Sequence, residues 1–205
     1  MRLWKTEPMP PDQRYDDSGS EHTDAEAEVE TARSFSMLLG TADLPGTGWA
    51  VVEERSWPTG RLDPASEKSR HALREGGITA WRKFATARPP ESAWVEVVPY
   101  ACAEDAGLSL RQVPTFFVGV APPDETVVEE HVVDDWVVPG VQEPSVYEKS
   151  STGPHGEVVA RYVAGAVDRV LFLTSLTGSP ATWTWGEATV LAAAQAEQVR
   201  RAPAT

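Results

Sequence analysis

Residues 157–201 read EVVARYVAGAVDRVLFLTSLTGSPATWTWGEATVLAAAQAEQVRR, and this stretch decides the fold. Residues 157–166 pattern as a strand. Asp168-Arg169 then leads straight into Val170-Leu171-Phe172-Leu173-Thr174-Ser175, and so short a link favours antiparallel neighbours. The second run is apolar on both faces, which marks a central strand. Behind it, Thr184 with Glu187 forms a capping box. Trp185, Ala188, Leu191, Ala192, Gln195 and Val199 follow at helical spacing, and Arg200-Arg201 complement the negative end of the helix dipole.

Working outward, residues 145–150 pair with 157–166 across a loop at 151–156 that contains Gly153, Pro154 and Gly156. Strands are expected at 49–57, 78–87 and 92–100. In the last of these, Ala93, Val95 and Val97 alternate with Trp94, Glu96 and Val98. Residues 126–138 read as one long strand with an acidic outer face, broken by Pro139-Gly140. A helix is expected over 24–39, entered through Thr23 and Glu26 and ended by a left-handed cap at Gly40. Shorter helices are expected at 67–75 and 103–112, with an apolar connector at 113–117. The fold class is therefore α+β: a central antiparallel sheet of about six or seven strands, flanked by N- and C-terminal helices. Residues 1–22 read as a disordered acidic tail, 23–201 as a single domain and 202–205 as a C-terminal tail.

The chain has 205 residues, 41% hydrophobic and 8% aromatic, which is a globular composition. Its one cysteine, Cys102, excludes an internal disulfide, and the N-terminus has no apolar run. Both observations point to a cytoplasmic address. No stretch is long and apolar enough to span a membrane. Asparagine is absent, arginine outnumbers lysine 14 to 4, and Ile78 is the single isoleucine. That usage fits a GC-rich actinobacterial genome.

Net charge is −13, which disfavours nucleic acid as a partner. The charge is uneven: residues 121–148 hold eight acidic residues and no Lys or Arg, while residues 55–88 hold eight basic and three acidic. Such asymmetry suits a protein partner with a basic surface, or a second copy of the chain. It also suits a solvated surface that keeps the protein soluble.

An N-terminal helix followed by Leu44-Pro45-Gly46-Thr47-Gly48-Trp49 entering a strand resembles the LpqN-like lipoproteins of actinobacteria and the related sensor domain of the PknH kinase. The closing segment, from Tyr162 through Val170-Leu171-Phe172-Leu173 to an Ala-rich helix, is similar to theirs as well. The resemblance implies a PsbP-like fold and a binding or accessory role. It also departs from this chain in one respect: those relatives are secreted or membrane-anchored, and no export signal is read here.

No G-x-S-x-G, H-E-x-x-H, Gly-rich phosphate loop or C-x-x-C is present. No catalytic residue, metal or cofactor is assigned on that basis. Cys102 precedes a helix start, where a thiol can be activated, but a lone Cys beside small residues equally fills a core. His131 lies within Glu129-Glu130-His131-Val132-Val133-Asp134-Asp135. On a strand, Glu129, His131 and Asp135 share one face, Glu130 and Asp134 the other. That row suits a divalent ion or an acid–base pair, and it equally suits a water-facing edge strand.

Two functional readings follow. In the leading one the chain is a non-enzymatic interaction or accessory module that uses Glu129, Glu130, Asp134 and Asp135 against a basic partner. In the alternative it is a small-molecule-binding protein or enzyme. Its aromatic pocket between the sheet and the C-terminal helix would use His131, Trp136, Arg161, Tyr162 and Trp185. The eight tryptophans bear on that choice, because packed together they simply build a core.

Overall fold

The computed structural model describes residues 24–59, 77–113 and 125–202. The expected tail at 1–22, the cap residue Thr23, the helix at 67–75, the connector beyond Val113 and residues 203–205 lie outside these. Seven strands form one sheet: β1 (Ala50–Pro58), β2 (Ile78–Ala85), β3 (Ser92–Pro99), β4 (Thr126–Val132), β5 (Gln142–Gly153), β6 (Gly156–Val167) and β7 (Val170–Gly178). Their order is β1-β2-β3-β7-β6-β5-β4, with every neighbouring pair antiparallel. The last strand of the chain is thus the middle of the sheet. Its doubly apolar sequence follows from that position, since all but one of its nine residues are buried.

Alternation separates two faces. On one, Phe172, Thr174 and Leu176 of β7 lie beside Val97, Val95 and Ala93 of β3, and beside Gly165, Val163 and Arg161 of β6. Helix α1 (Asp24–Ser36) covers this face over β2, and the closing helix, α3 (Trp185–Arg201), covers it over β6 and β7. Ala188, Ala192 and Ala196 let α3 sit close, with Leu191 and Val199 filling the space between. Gly165 is required where it stands, because a Cβ there would lie 2.7 Å from Phe172 Cζ. Burial of a ring such as Phe172 contributes roughly 2–3 kcal/mol. Gln195 of α3 is fully buried: its Nε2 donates to the Met37 carbonyl at 2.6 Å, and its Oε1 accepts from Leu39 N at 3.3 Å. This one amide ties the closing helix to the end of α1.

Helix α1 stops at Ser36, short of the expected 39. Gly40 is extended (φ −98°) rather than left-handed, and it leads into a 3₁₀ turn at Thr41–Asp43. The left-handed glycines come later, Gly46 (φ +76°) and Gly48 (φ +87°), where the chain turns into β1. There Trp49 Nε1 donates to the Pro45 carbonyl at 2.7 Å, and the ring stacks on Trp183 at 5.6 Å between centroids.

The other face carries Trp94, Val98, Leu171, Leu173, Tyr162 and Ala164. Helix α2 (Ala103–Leu110) packs over β6 and β7 there, closing a second core with Tyr100, Leu110 and Val113.

The long fourth strand expected at 126–138 ends at Val132. Val133 N still bonds the Val146 carbonyl, but Asp134-Asp135 then turn, with Asp135 at φ +58°. Trp136 therefore stands outside the sheet, and Val138 is buried in the helix-side core. The β5–β6 hairpin is longer than expected, with strands running up to a two-residue turn at Pro154-His155. Both edge strands are bulged, β1 at Val52 and β4 at Val128. Such bulges blunt an edge against pairing with another sheet.

Candidate functional site

Four of the five residues expected to line a pocket meet on the helix side of the sheet. The register places His131 opposite Glu148 and Glu148 opposite Arg161. Glu148 lies 2.8 Å from Arg161 Nε and 3.9 Å from His131 Nε2. The Arg161 N–H is misaligned with the carboxylate oxygen, so this contact is chiefly Coulombic. The same guanidinium donates through Nη1 to the Trp183 carbonyl at 2.5 Å and lies 5.4 Å from the Trp185 ring centroid. Trp185 meets Trp136 at 5.3 Å, and Trp136 Nε1 donates to Thr189 Oγ1 at 2.9 Å.

These groups pack against one another. They strap the start of α3 to the β4 edge, and inward of them Trp49 and Trp183 close a solid core. Glu148, the link in the middle, is absent from the residues singled out in the sequence. Its place opposite both His131 and Arg161 becomes legible only once the hairpin register is known.

Tyr162, the fifth, projects from the opposite face. Its ring lies 6.1 Å from Trp94 and 5.8 Å from Tyr147, whose hydroxyl donates to Glu130 Oε2 at 2.6 Å. Beneath Trp94 and Tyr162, Ser175 Oγ is buried with no hydrogen-bond partner among the described residues. Ser151 Oγ bonds the Glu125 carboxylate. Burial pushes the Tyr162 hydroxyl up to about 12. It also raises the Tyr147 hydroxyl, helped by the bond to Glu130. Burial lowers Lys149, with Glu130 and Glu125 opposing the shift, and it raises Glu96 to about 7. This is a packed polar interior that shields a tyrosine row and one lysine.

The acidic row divides differently from the expectation. Glu129 and His131 do share one side of β4, and Glu130 takes the other, where it holds Tyr147. Asp134 and Asp135 belong to the turn and to neither strand face, because the strand has already ended. Glu129, Asp134 and Asp135 are exposed, with no ion pair or side-chain hydrogen bond among the described residues.

Beside that turn a cleft of about 630 Å³ opens between α2 and the start of β5. Asp134, Asp135, Glu143 and Asp168 line it, with Arg111 on the helix side, and no tryptophan does. Asp135, Glu143 and Asp168 are the non-glycine residues with positive φ among those described. Cys102 is exposed at the N-cap of α2. Among the described residues no group of three or more His, Cys, Asp or Glu is placed to hold a metal ion.

No family model matches the chain, and no curated protein matches it. Solved structures do. The extracellular domain of PknH from Mycobacterium tuberculosis superposes with a TM-score of 0.57 at 13% identity, covering 83% of this chain and 96% of that one. An uncharacterised protein from Mycobacterium smegmatis, the Rv0999 ortholog, gives a TM-score of 0.41 at 11% identity, covering 83% and 95%. The fold is thus shared with an actinobacterial protein, the PknH domain. The PknH match also corrects the cytoplasmic address. The same layout of sheet and helices serves as an extracellular domain there, so a single cysteine and an apolar-poor N-terminus do not place this chain in the cytoplasm. No helix among the described residues is long and apolar enough to cross a membrane.

Proposed function

We propose that this chain is a protein-interaction module, without chemistry of its own, that presents an acidic edge to a basic partner surface. One observation carries the reading: Glu129, Asp134 and Asp135 stand exposed along the β4 edge and its turn, without a partner among the described residues. They lie in a segment, 121–148, that contains no Lys or Arg. Charges left unpaired in the free protein are available to an incoming opposite charge, and they act chiefly on encounter and selectivity. The finer kinship, to LpqN-like proteins of PsbP-like fold, belongs to the same reading, since that fold is used for binding and accessory roles. The extracellular setting of the matched PknH domain suggests a partner outside the cytoplasm.

The test is capture of a partner from the host by the immobilised protein, alongside an Asp134→Asn/Asp135→Asn variant. Capture should weaken as salt rises and weaken further in the variant. Capture that persists undiminished in high salt, or no capture at all, counts against the reading.

A further inference from the structure

We infer that the cleft between α2 and the start of β5 is a docking site for a lysine or arginine side chain of a polypeptide partner. This rests on the interaction reading above and gives it a location. The room comes from sequence. The α2 wall is built from Ala103 and Gly107, and a Cβ added at Gly107 would find nothing nearer than Arg111 Nη1 at 4.0 Å. The β5 wall is irregular there, with a register shift between Gln142 and Ser145 and Glu143 at φ +46°. The resulting 630 Å³ lies within the range of pockets that accept a ligand.

The chemistry comes from two layers. Leu110, Val132 and Ala166 contribute apolar surface, while Asp134, Asp135, Glu143 and Asp168 contribute charge, and all four are exposed. None of the four has an ion pair or side-chain hydrogen bond among the described residues. Against them stands Arg111, which leaves three negative charges in excess among the lining residues. An apolar wall beneath an unpaired acidic rim matches a long methylene stem that ends in a cation. The carboxylates are not gathered closely enough to chelate a bare metal ion, so charge complementarity selects an extended cationic side chain.

The experiment uses the full chain, with a lysine hexapeptide as probe and a glutamate hexapeptide as control, read by backbone-amide shifts and titration calorimetry at low salt. The lysine peptide should shift Gly107, Ser145 and Ala166 while the glutamate peptide shifts none of them. Two variants separate space from charge: Gly107→Leu fills the cleft and leaves its charge, and Glu143→Gln/Asp168→Asn removes charge and leaves the space. Each should weaken the lysine peptide by about tenfold or more, with thermal unfolding showing that the variants remain folded. If Gly107→Leu binds as tightly as the parent while charge removal weakens binding, the acidic edge recognises basic peptides elsewhere; the cleft is then overturned and the interaction reading survives. Absence of any lysine-peptide binding at low salt overturns both.

Discussion

Glu96 sits between Trp81 and Leu173 on the second sheet face, and burial holds its carboxyl at about 7 instead of 4.5. The folded state therefore keeps a proton that the unfolded chain releases. Stability from this group is fully present below about pH 4.5 and is lost as pH rises to about 7. A difference of 2.5 pH units corresponds to about 3 kcal/mol. Glu96→Gln stays neutral throughout. The variant should accordingly gain on the parent between pH 4.5 and 7, by up to about 3 kcal/mol, and the gap should then stay constant. Urea unfolding of both proteins across that range checks this; parallel pH profiles would show that the carboxyl is solvated. The alternation of Val95, Glu96 and Val97 displays which side Glu96 faces. Whether that side is buried depends on α2 returning over β6 and β7, which no local pattern displays.

Two elements show where local pattern is enough and where it fails. The closing helix is entered through a capping box as its sequence states: Glu187 N donates to Thr184 Oγ1 at 3.3 Å, and Thr184 N donates to Glu187 Oε2 at 2.7 Å. Thr184→Ala should cost about 1 kcal/mol in chemical denaturation. It should also loosen the strap from Arg161 to the Trp183 carbonyl, seen as a change in tryptophan fluorescence. An unchanged unfolding midpoint would show that packing alone fixes the helix start. Strand β7 was equally legible, because a central strand must be apolar on both sides. Strand β4 was not. The run Val132-Val133-Asp134-Asp135-Trp136-Val137-Val138 keeps its β-branched and aromatic letters past the true end. The left-handed Asp135 and the burial of Val138 in the helix-side core redirect it, and both are tertiary facts. The same misreading put Trp136, Asp134 and Asp135 on a strand, whereas His131 and Arg161 stand on true strands.

For the whole molecule, a formal charge of −13 on 205 residues means that most exposed charges repel. Among the described residues most ion pairs are solvent-exposed and so individually weak, such as Arg201–Glu197, while Arg161–Glu148 is shielded. Raising NaCl from about 20 to 300 mM at neutral pH should therefore raise the Tm by a few degrees, because screening relieves repulsion more than it weakens attraction. A falling Tm in calorimetry would show that specific pairs dominate. Sheet order was the part of the architecture least open to sequence, since it depends on which strand the last one enters. Strand β7 enters between β3 and β6, so strands β1 to β3 and strands β4 to β6 share no sheet neighbour until residues 170–178 arrive. During synthesis the ribosome must deliver residues 170–178 before the two halves become one sheet. Joining the halves is then a long-range event that waits for β7, and a nascent chain that stalls before residue 170 has two half-sheets with no strand to join them.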